Sequence, residues 1–107
     1  MNMEVRILPI VARELEKEPP SLKESVYSVL DRLDCGETIP MPLCRPLFSI
    51  ARGLYELRFS SRAGEHRVFY YIKVGEAIYV IHAMKKKSQK MERRTIDLLK
   101  MRIKSLL

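Results

Sequence analysis

Three consecutive segments in the second half of the chain alternate apolar and polar side chains with a period of two, the pattern of a half-buried β-strand. They span residues 54–60, 66–73 and 77–84, and each is rich in aromatic and β-branched residues. The two connections between them are short and contain Gly64 and Gly75. Short connections with glycine are typical of hairpins, so the three segments are predicted to form an antiparallel meander.

The start of the chain predicts a strand followed by a short helix. Residues 3–8 alternate apolar and charged side chains for most of their length. Pro9 has no N–H group and suits the first turn of a helix, where that group would have no partner. The first helix is therefore predicted from Ile10 to about Lys17.

A second helix is predicted after the proline pair at positions 19 and 20. Ser21, with Glu24 three residues later, has the capping-box spacing that satisfies free N–H groups at a helix start. Glycine favours the left-handed backbone that ends a helix, so this helix should end near Cys35 and Gly36. Five apolar residues lie on its inner face: Leu22, Val26, Val29, Leu30 and Leu33.

Residues 38–49 contain three prolines and are predicted to form a loop. Near the end of the chain, Ile96, Leu99, Ile103 and Leu106 recur at helical spacing and predict an amphipathic C-terminal helix. The predicted fold class is α+β, with a small antiparallel sheet, two N-terminal helices and one C-terminal helix. At this length, residues 1–107 are expected to form a single domain.

The charge is divided unequally between the two halves of the chain. Residues 1–51 carry six Lys and Arg against eight Asp and Glu, whereas residues 52–107 carry fourteen against five. Clustered cations gain affinity for phosphates because counterions are released, so a polyanionic partner is predicted for the second half. The apolar stretches are too short to span a bilayer and no signal peptide is evident, which predicts a cytoplasmic protein with no membrane association.

Several enzyme classes lack their sequence signatures here. The chain has no Walker phosphate loop, no dinucleotide-binding glycine motif and no nucleophile elbow. Cys35 and Cys44 are the only cysteines and have no histidine at ligand spacing, so no metal, no cofactor and no role for either thiol are predicted.

The side-chain period places candidate binding residues together. Arg58 and Arg67 fall on the same non-core face of adjacent predicted strands, and Tyr71 shares the parity of Arg67. The last strand leads into a polar run comprising Lys85, Lys86, Lys87, Ser88, Gln89 and Lys90. Arginine grips phosphate with two parallel hydrogen bonds and lysine acts as a mobile charge, so these residues predict a phosphate-binding groove.

Structural explanations remain open for the same residues. The lysine run is also what a solvated connection looks like, and the two arginines could form surface ion pairs with Glu56 or Glu65. His82 is compatible with an acid or base and with a hydrogen-bonded strand histidine, and its face of the sheet is not fixed, because the third strand of the meander is apolar on both sides.

Three motifs occur in order along the second half. They are Gly-Leu-Tyr-Glu-Leu-Arg at 53–58, Arg-Val-Phe-Tyr at 67–70, and His82 followed by Lys-Lys-Ser-Gln-Lys at 86–90. Over about residues 50–104 the chain resembles the phage-derived HigB-like group of the RelE/ParE superfamily of toxins. The resemblance implies a RelE-like fold, with the helices on one side of the sheet and the catalytic groove on the other.

The resemblance also implies a function. It predicts a type II toxin that acts as a ribosome-associated, metal-independent endoribonuclease on messenger RNA, and a cognate antitoxin as partner. Arg58 and Arg67 would bind the scissile phosphate, and Lys86 or Lys87 would assist proton transfer or stabilise charge. Further expected roles are an acid or base at His82 and substrate binding by Lys85, Gln89, Lys90 and Tyr71. Two alternatives remain: a ParE-like gyrase inhibitor without catalysis, and a non-toxic nucleic-acid-binding remnant.

Overall fold

The computed structural model of the chain describes residues 3–62, 64–86 and 90–107. Its elements in chain order are β1 (Val5–Ile7), α1 (Pro9–Glu16), α2 (Pro20–Asp34), β2 (Cys44–Pro46), β3 (Leu54–Ser61), β4 (Gly64–Lys73), β5 (Ala77–Lys86) and α3 (Arg93–Leu106). The α+β class and all three helices agree with the sequence predictions. No helix in the described ranges is long and apolar enough to cross a membrane.

The strands form one sheet in the order β1-β5-β4-β3-β2. The meander of β3, β4 and β5 is antiparallel, as predicted. β1 pairs in parallel with β5, with Val5 opposite Ile78, so the complete sheet is mixed. Gly53 leads into β3 with a φ of 88°, and a Cβ there would lie 3.0 Å from the carbonyl oxygen of Ile72, which explains why glycine precedes this strand.

Two local predictions are wrong. The capping box does not form, because α2 begins at Pro20 with Pro19 at the N-cap, two residues earlier than a Ser21 cap requires, and this places Ser21 inside the first turn with no side-chain cap at the helix start. The predicted loop contains the edge strand β2, which pairs Cys44 with Leu57. Proline is tolerated there because an edge strand leaves some of its N–H groups without a ladder partner.

Helices α1 and α2 pack on one face of the sheet, called the closed face. Its core joins buried residues of both helices to Leu57, Phe59, Val68, Tyr70 and Val80 of the sheet. Leu57 and Val80 have no exposed surface. The closed face therefore supplies the larger of the two apolar clusters.

Helix α3 packs on the opposite face, called the α3 face. Leu99 and Ile103 of the helix contact a smaller cluster of Leu54, Phe69 and Ile81. The expectation that all helices lie on one side of the sheet is therefore wrong. The helices lie on both sides because β5 has apolar residues on both of its faces. Each face of this strand is buried under a helix.

β5 contains an irregularity next to its free edge. The register with β4 shifts between Phe69 and Tyr70, which leaves Ile81 as an extra residue in β5. β1 pairs only as far as Val80. Beyond that point, Arg102 donates to the carbonyl oxygen of Ile81 at 2.6 Å, and the Glu14 carboxylate accepts from the N–H of Ala83 at 3.3 Å. Side chains from two helices thus replace strand partners along this edge.

Candidate functional site

Helix α3 covers only part of its face, and the remainder is a small depression lined by both charged and apolar side chains, called the groove. The following residues line it: Glu56, Arg67, Phe69, Met84, Lys86, Lys90, Met91, Glu92 and Thr95. The enclosed volume is about 30 Å³, which accommodates a water molecule but not a nucleotide base. A larger ligand would therefore have to lie across the mouth of the groove.

Arg58 and Arg67 lie directly opposite each other on β3 and β4. Directly opposed residues of antiparallel strands project to the same face, which here is the α3 face. The two arginines differ in accessibility, since the side chain of Arg58 is 38% exposed and that of Arg67 only 3%. Arg58 is thus available to a ligand, whereas Arg67 forms part of the floor.

Glu56 joins the two arginines. Its carboxylate is 3.8 Å from Nε of Arg58 and 3.5 Å from Nε of Arg67, and its side chain is only 4% exposed. Arg67 also contacts Glu65 at 3.0 Å and donates to the backbone carbonyl of His66. The Glu56 carboxylate attracts both guanidinium groups electrostatically, although Nε of Arg67 has no hydrogen-bond partner among the described residues. Removing Arg67 would leave the buried Glu56 charge with only the half-exposed Arg58 beside it.

The role of Glu56 was missed by the sequence reasoning, which treated it only as a partner in surface ion pairs. The signal was present, because Glu56 lies two residues before Arg58 on the same strand and shares its face. The ion pairs considered from the sequence do form, with both Glu56 and Glu65. The one to Glu56 is buried rather than at the surface.

The lysine run is divided between the two faces of the sheet. β5 extends through Lys85 and Lys86, so these neighbours point in opposite directions. Lys86 lines the groove together with Lys90, whereas Lys85 lies opposite His66, towards the closed face. Lys87 and Gln89 lie outside the described residues.

His82 is not among the residues that line the groove. Its ring stacks on Phe69 at 5.7 Å, and Nδ1 lies 3.2 Å from Nη1 of Arg102. Burial, assisted by the Arg102 charge, lowers the pKa of His82 to about 4, although the Glu14 carboxylate at 3.8 Å acts in the opposite sense. At neutral pH the imidazole is therefore uncharged and serves as a contact between β5 and α3.

Tyr71 shares the face of Arg67, but it lies four residues further along β4, a distance of roughly 13 Å. It packs against the α3 cluster near Gly53. The structure therefore brings Arg58, Arg67, Lys86 and Lys90 together and leaves Tyr71, His82 and Lys85 elsewhere.

The cysteines and acidic residues offer little other chemistry. Cys44 is buried with Sγ 3.2 Å from the hydroxyl of Tyr70, and burial raises the pKa of both groups. Cys35 is exposed. Across the part of the chain that the structure describes, no group of three or more His, Cys, Asp or Glu side chains is placed to hold a metal ion.

Comparison with solved structures identifies the fold. The chain is similar to the toxin–antitoxin complex RelBE2 from Mycobacterium tuberculosis, with a TM-score of 0.58 and 20% identity over 80% of this chain and 100% of that chain. It is also similar to the E. coli toxin RelE in its free state, in a mutant with two arginines replaced by alanine. That comparison gives a TM-score of 0.52 and 16% identity over the whole of both chains. No curated protein sequence matches it significantly.

The chain thus has the fold of RelE-like toxins. Residues 13–104 match the family described as "Phage derived protein Gp49-like (DUF891)". Because this match covers most of the chain, the protein belongs to the Gp49-like family, which is a family of RelE-like toxins.

Proposed function

We propose that this protein is the toxin of a type II toxin–antitoxin pair and that it cleaves messenger RNA on the ribosome, in the cytoplasm and without a metal ion. One observation carries the proposal: Arg58 and Arg67 are paired across β3 and β4, fixed by the buried Glu56, beside Lys86. Fixed cations beside a mobile one suit a reaction in which negative charge develops on a phosphate.

In the proposed reaction the RNA 2′-hydroxyl attacks its own adjacent phosphorus. The new bond joins O2′ to phosphorus as the 2′-hydroxyl proton passes to a water molecule, the bond from phosphorus to O5′ breaks, and the departing O5′ takes up a proton. Arg58 contacts the phosphate through its exposed guanidinium, and Lys86 stabilises the added charge or supplies the proton. Arg67 and Glu56 keep Arg58 in position, which makes them positioning residues.

Other predicted residues take subsidiary roles in the proposal. Lys90 holds the RNA at the mouth of the groove, and Lys87 and Gln89 contribute from the adjoining segment. Because the groove encloses so little volume, the scissile phosphate lies over its mouth with the bases outside. Positioning and electrostatics then supply most of the rate acceleration. His82 has no role in the chemistry, since its neutral ring is engaged with Arg102 and Phe69.

The proposal includes an antitoxin protein. The M. tuberculosis relative forms a toxin–antitoxin complex, and here an open hollow of about 520 Å³ lies beside the start of α3, lined by Lys90, Met91, Glu92, Arg93 and Ile96. An amphipathic acidic segment seated there would cover apolar surface and neutralise cations near the groove. Co-expression with the neighbouring reading frame should therefore yield a complex that Ile96→Glu weakens, and an unaffected complex would place the antitoxin elsewhere.

The catalytic proposal is tested with two neighbouring lysines. Lys86→Gln and Lys85→Gln remove the same charge from adjacent positions, but only Lys86 lines the groove. Cleavage of messenger RNA is measured in a reconstituted translation reaction, and growth is followed after induction. Loss of one charge-stabilising group typically costs about 100-fold in rate, so Lys86→Gln should lose about that much and Lys85→Gln less than twofold.

The outcomes separate the rival functions. Equal activity of the two variants would contradict the assignment of the groove. Growth arrest without new RNA ends, together with inhibition of DNA supercoiling, would identify a gyrase inhibitor instead. RNA binding without growth arrest would identify a non-toxic nucleic-acid-binding protein.

A further inference from the structure

The groove accounts for little of the positive charge in the second half of the chain. Arg67 is buried against Glu56 and Glu65, and Arg58 also contacts Glu56. Glu92 lies on the rim. These carboxylates offset most of the local cations, so the excess charge of residues 52–107 must lie mainly on other surfaces.

Part of that excess lies on the outer face of α3. Arg93, Asp97, Lys100 and Lys104 follow one another at spacings of four, three and four residues, which places them along a single line on the helix. All four are exposed. Within residues 3–62, 64–86 and 90–107, neither Lys100 nor Lys104 has a side-chain hydrogen bond or ion pair.

Arg93 at the start of this line and its neighbour Arg94 remain available to a ligand despite their ion pairs. Arg93 contacts Asp97 at 3.3 Å and Arg94 contacts Glu92 at 2.9 Å, but the two arginine side chains are 85% and 82% exposed. Ion pairs this exposed are weak and exchange readily with another anion. Arg67, at 3% exposure, has no such freedom.

The position of α3 connects this line of charged residues to the groove. Glu92 and Thr95, at the N-terminal end of α3, line the groove itself. From Arg93 to Lys104 the helix rises by about 16 Å. An RNA strand that crosses the groove and continues over the start of α3 would therefore meet Arg93 first, and then Lys100 and Lys104.

We propose that the outer face of α3 binds the phosphate backbone of RNA outside the cleavage site and adds affinity to the binding that the groove provides. This inference rests on the proposed function only for the identity of the RNA. A protein partner fits this face less well, because protein interfaces are depleted in lysine and need apolar anchors, and Met101 is its only large exposed apolar residue before Leu107 among the described residues.

The test measures the salt dependence of binding to a mixed-sequence, single-stranded RNA with 2′-O-methyl groups. This probe cannot undergo the 2′-hydroxyl reaction, so the result is independent of whether the protein cleaves RNA. Each phosphate contact on a single strand contributes about 0.7 to the slope of log affinity against log salt concentration. The double variant Lys100→Gln/Lys104→Gln should therefore reduce the magnitude of the slope by about 1.4.

A matched control comes from α1 and the residue that follows it. Arg13 and Lys17 are likewise exposed and four residues apart, but they belong to the closed-face side of the molecule. Arg13→Gln/Lys17→Gln removes the same charge and should leave the slope unchanged. Equal slopes for the two double variants would overturn the proposal, as would normal RNA binding by Lys100→Gln/Lys104→Gln combined with weakened binding of the antitoxin. If the wild-type protein cleaves no RNA but Lys100→Gln/Lys104→Gln still reduces the salt slope as expected, the result would count against the proposed function alone.

Discussion

The two faces of the sheet use the same strands in different ways. The closed face is covered by two helices over a large apolar core, with His66 and Lys85 at one end, whereas the α3 face changes along its length from an apolar cluster to a groove of paired charges. Because side chains alternate along each strand, Leu57 can complete a core while its neighbours Glu56 and Arg58 build a site. The closed face therefore holds the sheet rigid for the groove on its other side.

The largest expected effect is a loss of unfolding free energy when the buried ion pair of the groove is broken. Arg67→Gln leaves Glu56 buried with only Arg58 beside it, and breaking a buried ion pair costs about 3–5 kcal/mol of unfolding free energy. Urea denaturation measures the loss. The double variant Glu56→Gln/Arg67→Gln should lose less than the sum of the two single variants, since it leaves no uncompensated carboxylate. A loss below about 1 kcal/mol for Arg67→Gln would mean that Arg67 behaves as a surface arginine.

A core substitution provides the comparison from the closed face. Leu57 has no exposed surface, so Leu57→Ala should lower the unfolding free energy by about 3 kcal/mol. Per folded molecule, RNA cleavage should stay within twofold of the wild type, because Leu57 points away from the groove. A specific loss of activity in fully folded Leu57→Ala protein would show that the two faces are not separable.

An acid-dependent loss of stability should come from the contact between α3 and β5. The pKa of His82 is lowered to about 4, so the unfolded chain, with its ordinary value near 6.5, binds the proton more readily. The stability that comes from burying the neutral His82 ring is fully present above pH 6.5 and is lost as the pH falls towards 4. Allowing for partial solvent exposure, the loss should be about 1–2 kcal/mol. Urea denaturation at a series of pH values measures this loss. The unfolding free energy of His82→Gln should depend less on pH than that of the wild type, and an identical dependence would mean that His82 is not the group responsible.

The smallest effect concerns thiol accessibility. Cys35 is exposed, whereas Cys44 is buried in the closed-face core, where burial raises its pKa. A thiol reagent should modify one cysteine rapidly in the native protein and the second only on unfolding. Cys35→Ser should abolish the fast phase without changing stability measurably. Rapid modification of both thiols would mean that the closed face opens readily.

Much of the fold followed from the sequence because each signal was local. The period of two in residues 54–84 gave the meander, and the same period placed Arg58 and Arg67 on one face. The predictions failed where long-range pairing decides the outcome. Strand β2 exists because residues 44–46 pair with β3, and the parallel pairing of β1 depends on a strand more than seventy residues away.

Predictions about individual side chains depended on exact strand lengths and register. The extension of β5 by two residues separated Lys85 from Lys86, and the irregularity at Ile81 set the surroundings of His82. Neither feature has a clear local signal. For Glu56, the spacing from Arg58 was visible, but burial between two arginines required the register of β3 against β4.

The free edge of β5 affects how the chain behaves at high concentration. An unpaired strand edge is a template onto which a second molecule can add a strand, and this is a common start of aggregation. Here Arg102 occupies the carbonyl of Ile81, and Glu14 occupies the N–H of Ala83. The contacts that fix α1 and α3 to the sheet thereby also occupy two backbone groups that an added strand would need, so the same two side chains dock the helices and oppose strand addition at this part of the edge.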